Sequence, residues 1–168
     1  ARVADQRATL EDRLATLPEK RAARDELEEA IATERTRIDD IERDAITGFN
    51  EEIERVLGLL DYDNVDRVWL EALDRDRQAG RGRVTQRAFA LHVVRRSAGG
   101  VSYEDSVDHL SESEREVVGL VFALAGYLAH DVAEELPFML LDSLEAIDAD
   151  RIATLVAYLA ERTGYLLV

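Results

Sequence analysis

Three short stretches of this 168-residue sequence gather residue types that can do chemistry. The first is Leu110-Ser111-Glu112-Ser113-Glu114, set directly before regularly spaced apolar residues at Val117, Val118, Val121, Leu124, Ala125 and Leu128. A serine followed three positions later by glutamate is a capping-box pattern: the hydroxyl accepts from the third helical N–H, and the carboxylate reaches back. A helix starting there offers unpaired N–H groups and the positive end of its dipole, which suits an anion. The second stretch, Pro137 to Asp142 (PFMLLD), is a short apolar run ending in a carboxylate, as in a buried strand. The third, Ser143 to Asp148 (SLEAID), adds Glu145 and Asp148 before another helical pattern. A carboxylate delivered by a strand end can organise a divalent cation. Taken singly, each stretch also has a plain structural reading as a helix cap, a strand end or a solvated loop. Their order and spacing together carry the functional reading.

The elements that must position these residues are legible in outline. Residues 1–48 read as a coiled-coil arm: Leu10, Leu14 and Leu17, then Leu27, Ile31, Ile38, Ile41 and Ala45, form a narrow apolar seam between dense charges. Pro18 is expected to break that helix or start a new one. Residues 49–168 read as a globular lobe. Its apolar face broadens from Phe49 to Leu73, Asp74 to Arg83 is expected to be a loop, and Arg83 to Arg96 a strand. In that strand His92 falls on the face opposite Phe89 and Leu91. Ser97 to Asp108 reads as a loop, and the helix opened by Ser111 should end before Pro137. A helix from about Asp148, with core face Ile152, Leu155, Val156 and Leu159, should stop at Gly164, and Tyr165 to Val168 begin a second buried strand. Strand, helix, strand over about thirty residues is a βαβ unit.

Composition narrows the classes. There are no cysteines, so disulfides and thiolate metal sites are excluded, which fits a reducing cytoplasm. His92, His109 and His130 have no metal-ligand spacing, and no apolar run approaches the ~20 residues of a membrane helix. Thirty-six acidic residues face twenty-one basic ones, giving net charge −15, and Lys20 is the one lysine. Such an acidic, lysine-poor surface looks like that of a salt-accumulating halophile. In molar salt the Debye length falls to ~3 Å and the self-repulsion is screened. The same acidity argues against nonspecific DNA binding by the chain alone.

In order and spacing, the three stretches resemble the signature motif, Walker B strand and D-loop of an ABC-type ATPase head. The resemblance is to the SMC-like branch, where a coiled-coil arm immediately precedes this lobe; SESEREVVGLVFALAGY and LLDSLEAID look most like an archaeal SMC-related group. It implies an α/β fold, the carboxy-terminal lobe of a P-loop-type head with a parallel βαβ core. Ser111, with Ser113, would face the γ-phosphate of ATP held by a second head in a homodimer. Asp142 would organise Mg²⁺, and Asp148 would face across the dimer. Two departures stand out. Glu112 and Ser113 occupy the place of the family's glycines, and Ser143 that of the glutamate that orients the attacking water; Glu145 is the nearest carboxylate able to substitute.

A P-loop needs GxxxxGK[ST]. Lys20 sits in a glycine-free charged stretch, so this polypeptide has no Walker A of its own. Together with the opening Ala1, this leads us to expect a segment of a longer chain, completed by an amino-terminal P-loop lobe. The implied role is ATP-driven chromosome organisation or DNA repair, with DNA met through the assembled, nucleoid-associated complex. The competing reading is a non-enzymatic acidic coiled-coil scaffold. The charge balance makes one prediction regardless of function: the thermal midpoint should rise from low to molar KCl as repulsion is screened. A flat or falling midpoint would remove the halophilic reading.

Overall fold

The computed structural model describes residues 2–80, 82–97, 99–142 and 144–168. The chain divides into two compact units, Ala1–Arg43 and Asp44–Val168. The first unit consists of the amino-terminal part of helix α1, which spans Arg2–Leu60. Here the apolar seam is exposed at Leu10, Leu14, Leu27, Ile31, Ile38 and Ile41. Ion pairs one turn apart, such as Arg7–Glu11 at 2.8 Å and Arg43–Asp40 at 2.7 Å, decorate its surface. Each is exposed and so contributes little stability. The break expected at Pro18 is absent, because the helix runs through it. A proline removes one backbone bond and crowds the preceding turn. The alanines, glutamates and arginines on both sides are strong helix formers that carry the helix past that defect.

In the second unit, the end of α1 buries Ile53, Val56, Leu57 and Leu60. Asp61, in the left-handed region at φ +42°, turns the chain out of the helix. The broad apolar face from Phe49 to Leu73 is thus two elements, a helix end and a strand start. Strand β1 (Val65–Ala79) pairs antiparallel with β2 (Gly82–Arg96), which pairs in turn with β3 (Ser102–Asp105). The expected loop at Asp74 to Arg83 is therefore strand over most of its length. Its alternating charges hid the pairing, since neither face of this part is apolar. Only Gly80 and Arg81 separate the strands, and Gly80 has φ +61°, the conformation a two-residue hairpin needs at its first turn position. Likewise the expected loop at Ser97 to Asp108 contains β3 and a short 3₁₀ turn, Val107–His109.

The sheet joins the core near its base, through Val65, Val68 and Val93, with Leu91 packed against the same cluster. There Asn50 of α1 acts as a surrogate strand: its carboxamide donates to the Leu70 carbonyl at 2.9 Å and accepts the Leu70 N–H at 2.7 Å. Helix α2 (Glu112–Ala129) buries Val117, Val118, Val121, Leu124 and Ala125. Its Gly126 lets Phe49 approach, and Phe49 meets Phe122 edge-on at 4.9 Å. After α2 come the short helix α3 (Val132–Glu135), strand β4 (Phe138–Leu140), helix α4 (Ala149–Ala160) and strand β5 (Tyr165–Leu167).

Strands β4 and β5 pair in parallel, with α4 between them in sequence and Met139 turned into the core. The other face of this pair, with Phe138, Leu140, Tyr165 and Leu167, is exposed. Leu155 and Leu159 of α4 are fully buried. The entry to β5 is tight: the Tyr165 N–H donates to the Pro137 carbonyl at 2.8 Å, and a Cβ on Gly164 would meet Pro137 Cβ and O at 3.1 Å. Gly164→Ala should therefore lower stability by about 1–3 kcal/mol through overpacking against backbone. Denaturant unfolding would detect this, and an unchanged midpoint would mean that the approach relaxes freely.

Candidate functional site

Ser111 is the residue that caps α2, and its capping box is complete. Its hydroxyl accepts from the Glu114 N–H at 3.3 Å, and its own N–H donates to Glu114 Oε2 at 2.8 Å. The hydroxyl also lies 2.8 Å from Glu114 Oε2, donating its proton inward. Ser113 Oγ stands 3.4 Å from Ser111 Oγ. Two serine hydroxyls thus meet at the helix N-terminus, where the first N–H groups, of Glu112 and Ser113, have no acceptor in the chain among the described residues. Glu112 itself is exposed.

Glu114 is only 2% exposed, and it is the one buried charged residue among those described. Burial pushes its pKa up, but donors from Ser111 and the Arg95 guanidinium outweigh that and leave it lowered. Arg95 reaches from β2 to both carboxylate oxygens, at 2.8 and 3.0 Å. The same guanidinium donates to Asp105 of β3 at 2.9 Å. Its remaining Nε is buried without a partner among the described residues. Asp105 is held down to about 2, first by Arg95, then by the His109 ring 2.8 Å away and the Ser106 N–H. A continuous polar chain therefore runs from β3 through Arg95 to the cap of α2. Sequence reasoning found the capping box but missed Arg95 and Asp105, whose partners are set by strand register and not by spacing along the chain.

Asp148 plays a parallel part at α4. It is the N-cap residue, accepting the Arg151 N–H at 3.0 Å, and this donor holds its pKa low. Arg151 pairs back to Asp148 at 2.8 Å and also donates to the Asp61 carbonyl at 2.6 Å. The turn that ends α1 is thereby fastened to the start of α4. Asp142 is exposed two residues beyond the end of β4, and Glu145 is exposed in the turn closed by the Ile147 N–H on the Leu144 carbonyl at 3.0 Å. Ser143 lies outside the described residues. No group of three or more His, Asp or Glu able to hold a metal ion occurs among the described residues. His92 is a packing residue: it stacks on Trp69 at 4.7 Å and 9°, with Nδ1 2.6 Å from Glu104. Its Nε2 lies 3.0 Å from Glu71, but misaligned for a hydrogen bond.

Over 132 residues, 79% of the chain, the sequence is 61% identical to the Smc-like protein Sph3 of Haloferax volcanii. Over 142 residues, 82% of the chain, it is 54% identical to the Smc-like protein Sph2 of Halobacterium salinarum. This chain is a homologue of Smc-like proteins of halophilic archaea. A shorter match, 45% over 62 residues, joins it to the Smc-like protein Sph1 of Halobacterium salinarum. The matches to Sph3 and Sph2 cover 20% and 21% of those proteins, so this Smc-like chain spans about a fifth of their length. No protein-family model matches it. No helix among the described residues is long and apolar enough to cross a membrane.

The polar chain yields a pH prediction. Glu114 and Asp105 both titrate below their unfolded values near 4, so each contributes stability that is present above that value and lost as pH falls through its folded pKa, which for Asp105 is about 2. Replacing Arg95 by methionine should lower the thermal midpoint at neutral pH and flatten its decline across that acid window. Circular dichroism melts at stepped pH would check this, and an equally steep acid decline in the variant would show that Arg95 does not hold these carboxylates down.

Proposed function

We propose that this chain is the carboxy-terminal lobe of an SMC-like ABC ATPase head with part of its coiled-coil arm. In this reading the parent protein binds and hydrolyses ATP between two heads to drive chromosome organisation or DNA repair. The observation that carries it is the succession, in an Smc-like sequence, of a serine-capped helix, a short apolar strand followed by Asp142, and a second helix capped by Asp148. The exposed apolar face of β4 and β5 supports an amino-terminal P-loop lobe as the missing partner, because so much apolar sheet surface calls for a cover. The exposed seam of α1 supports a coiled-coil partner helix in the same way.

The residues present fit the nucleotide this reading needs. The open N–H groups of Glu112 and Ser113, with the Ser113 hydroxyl, suit phosphate oxygens at a helix N-terminus, and the Ser111 hydroxyl would join them by turning its proton away from Glu114. Glu114 keeps Ser111 in place from below. Asp142 would hold Mg²⁺, Asp148 would face the second head, and Glu145 would orient water in place of the family's glutamate. Mg-ATP would supply the transferable phosphoryl group and the cation that neutralises its charge. One observation favours the scaffold alternative: Ser111 and Asp148 both already serve as helix caps.

Joining the chain to the amino-terminal P-loop lobe of its parent separates these readings. The joined head should dimerise with ATP, as measured by light scattering, whereas the chain alone should show no micromolar nucleotide affinity by calorimetry. Asp142→Ala should abolish hydrolysis, and Glu145→Gln should slow it. Ser111→Arg should block ATP-dependent dimerisation while sparing nucleotide binding. Dimerisation indifferent to ATP would leave the scaffold reading in place.

A further inference from the structure

The Ser111 hydroxyl has one proton and two possible uses for it. Here it donates inward, to Glu114 Oε2 at 2.8 Å. A hydroxyl that serves an anion has to donate outward. The Glu112 and Ser113 N–H groups have no acceptor among the described residues and need no such release. Whether Ser111 can join them therefore depends on what Glu114 loses when the hydroxyl turns.

Glu114 is too deeply buried for water to replace a donor that leaves. Once the hydroxyl has turned, Oε2 still receives the Ser111 N–H at 2.8 Å and the Arg95 guanidinium at 3.0 Å. Oε1 still receives Arg95 at 2.8 Å, its one donor among the described residues. A single terminal nitrogen of Arg95 thus serves both oxygens. The other terminal nitrogen is fastened to Asp105 at 2.9 Å. Asp105 is held in turn by the Ser106 N–H and the His109 ring, each at 2.8 Å, so the guanidinium is fixed from β3 as it reaches the helix start.

We propose that Arg95 is the positioning residue for Ser111: by supplying both oxygens of Glu114, it frees the serine proton to be given to a phosphate oxygen. For the identity of that anion this rests on the SMC-like ATPase reading. Without Arg95, Oε1 has no donor and Oε2 has those of Ser111 alone. Hydrogen bonds to an ionised group are about twice as strong as neutral ones. The carboxylate then holds the hydroxyl harder, and Ser111 remains a helix cap. Arg95 acts only through Glu114 and touches no phosphate itself.

Two measurements test this. In this chain without nucleotide, NMR reads the exchange of the Ser111 hydroxyl proton with water. R95M should slow that exchange at least about threefold, and R95K, which keeps the charge but loses the fork, should fall between R95M and wild type. A merely structural role for Arg95 gives the opposite sign, because a loosened helix start exposes the hydroxyl. In the head joined to its P-loop lobe, light scattering reads the ATP concentration for half-maximal dimerisation. R95M should raise it about tenfold when Ser111 is present and leave it unchanged in the S111A background, since the effect runs through that hydroxyl. Unchanged or faster exchange in R95M overturns the proposal, as does an equal loss of dimerisation from R95M with and without Ser111. Should circular dichroism show R95M unfolded, R95K carries both measurements with the same signs. A wild-type head that never dimerises with ATP overturns the ATPase reading instead, and the exchange measurement still decides whether Arg95 governs the Ser111 proton.

Discussion

A carboxylate sealed from water stays charged only if fixed donors replace its hydration, and Glu114 meets that condition. The Ser111 N–H, the Ser111 hydroxyl and the Arg95 guanidinium all converge on its two oxygens. The consequences spread outward from this contact. It fixes where α2 begins and in which direction Ser111 points. It also ties that helix start to β2, and through Asp105 to β3. Breaking such a pair from one side leaves a buried charge unpaired, which is far more costly than losing an exposed ion pair.

The second candidate helix is held by the same kind of device in milder form. Asp148 caps α4, and Arg151 joins that cap to the turn at Asp61. Both helix starts that carry candidate site residues, Ser111 and Asp148, are therefore anchored by an arginine reaching across the fold. At α2 the arginine comes from a strand and its carboxylate partner is buried; at α4 it comes from the helix itself and its carboxylate partner is exposed.

Charge is distributed with equal discrimination. The arm portion of α1 spreads both signs along an exposed surface, as a solvated helix does. The β1–β2 ribbon between Asp74 and Arg87 instead sorts its charges by face, with aspartates compensated on one side and, on the other, Arg75 and Arg77 without an ion-pair partner among the described residues. Alternating Asp and Arg in a sequence looks neutral when averaged. In a strand the same alternation separates the signs completely, because successive side chains point to opposite faces.

That difference divides what was legible in the residues from what was not. Local patterns sufficed for the capping box at Ser111, the cap at Asp148, the apolar faces of α2 and α4 and the short strand after Pro137, because each depends on groups within about four positions. The acidic, lysine-poor composition was equally plain, since it needs no fold. Local patterns misled at Pro18, where strong helix formers outweighed one lost bond, and at Asp74 to Arg83, where a strand without an apolar face looks like a loop. Tertiary structure alone decided that Arg95 serves Glu114, that Asn50 completes the edge at Leu70, and that Arg151 reaches Asp61. These contacts join residues 19, 20 and 90 positions apart. No periodicity encodes them, because they follow from strand register and helix packing, which the chain fixes only when its apolar surfaces come together.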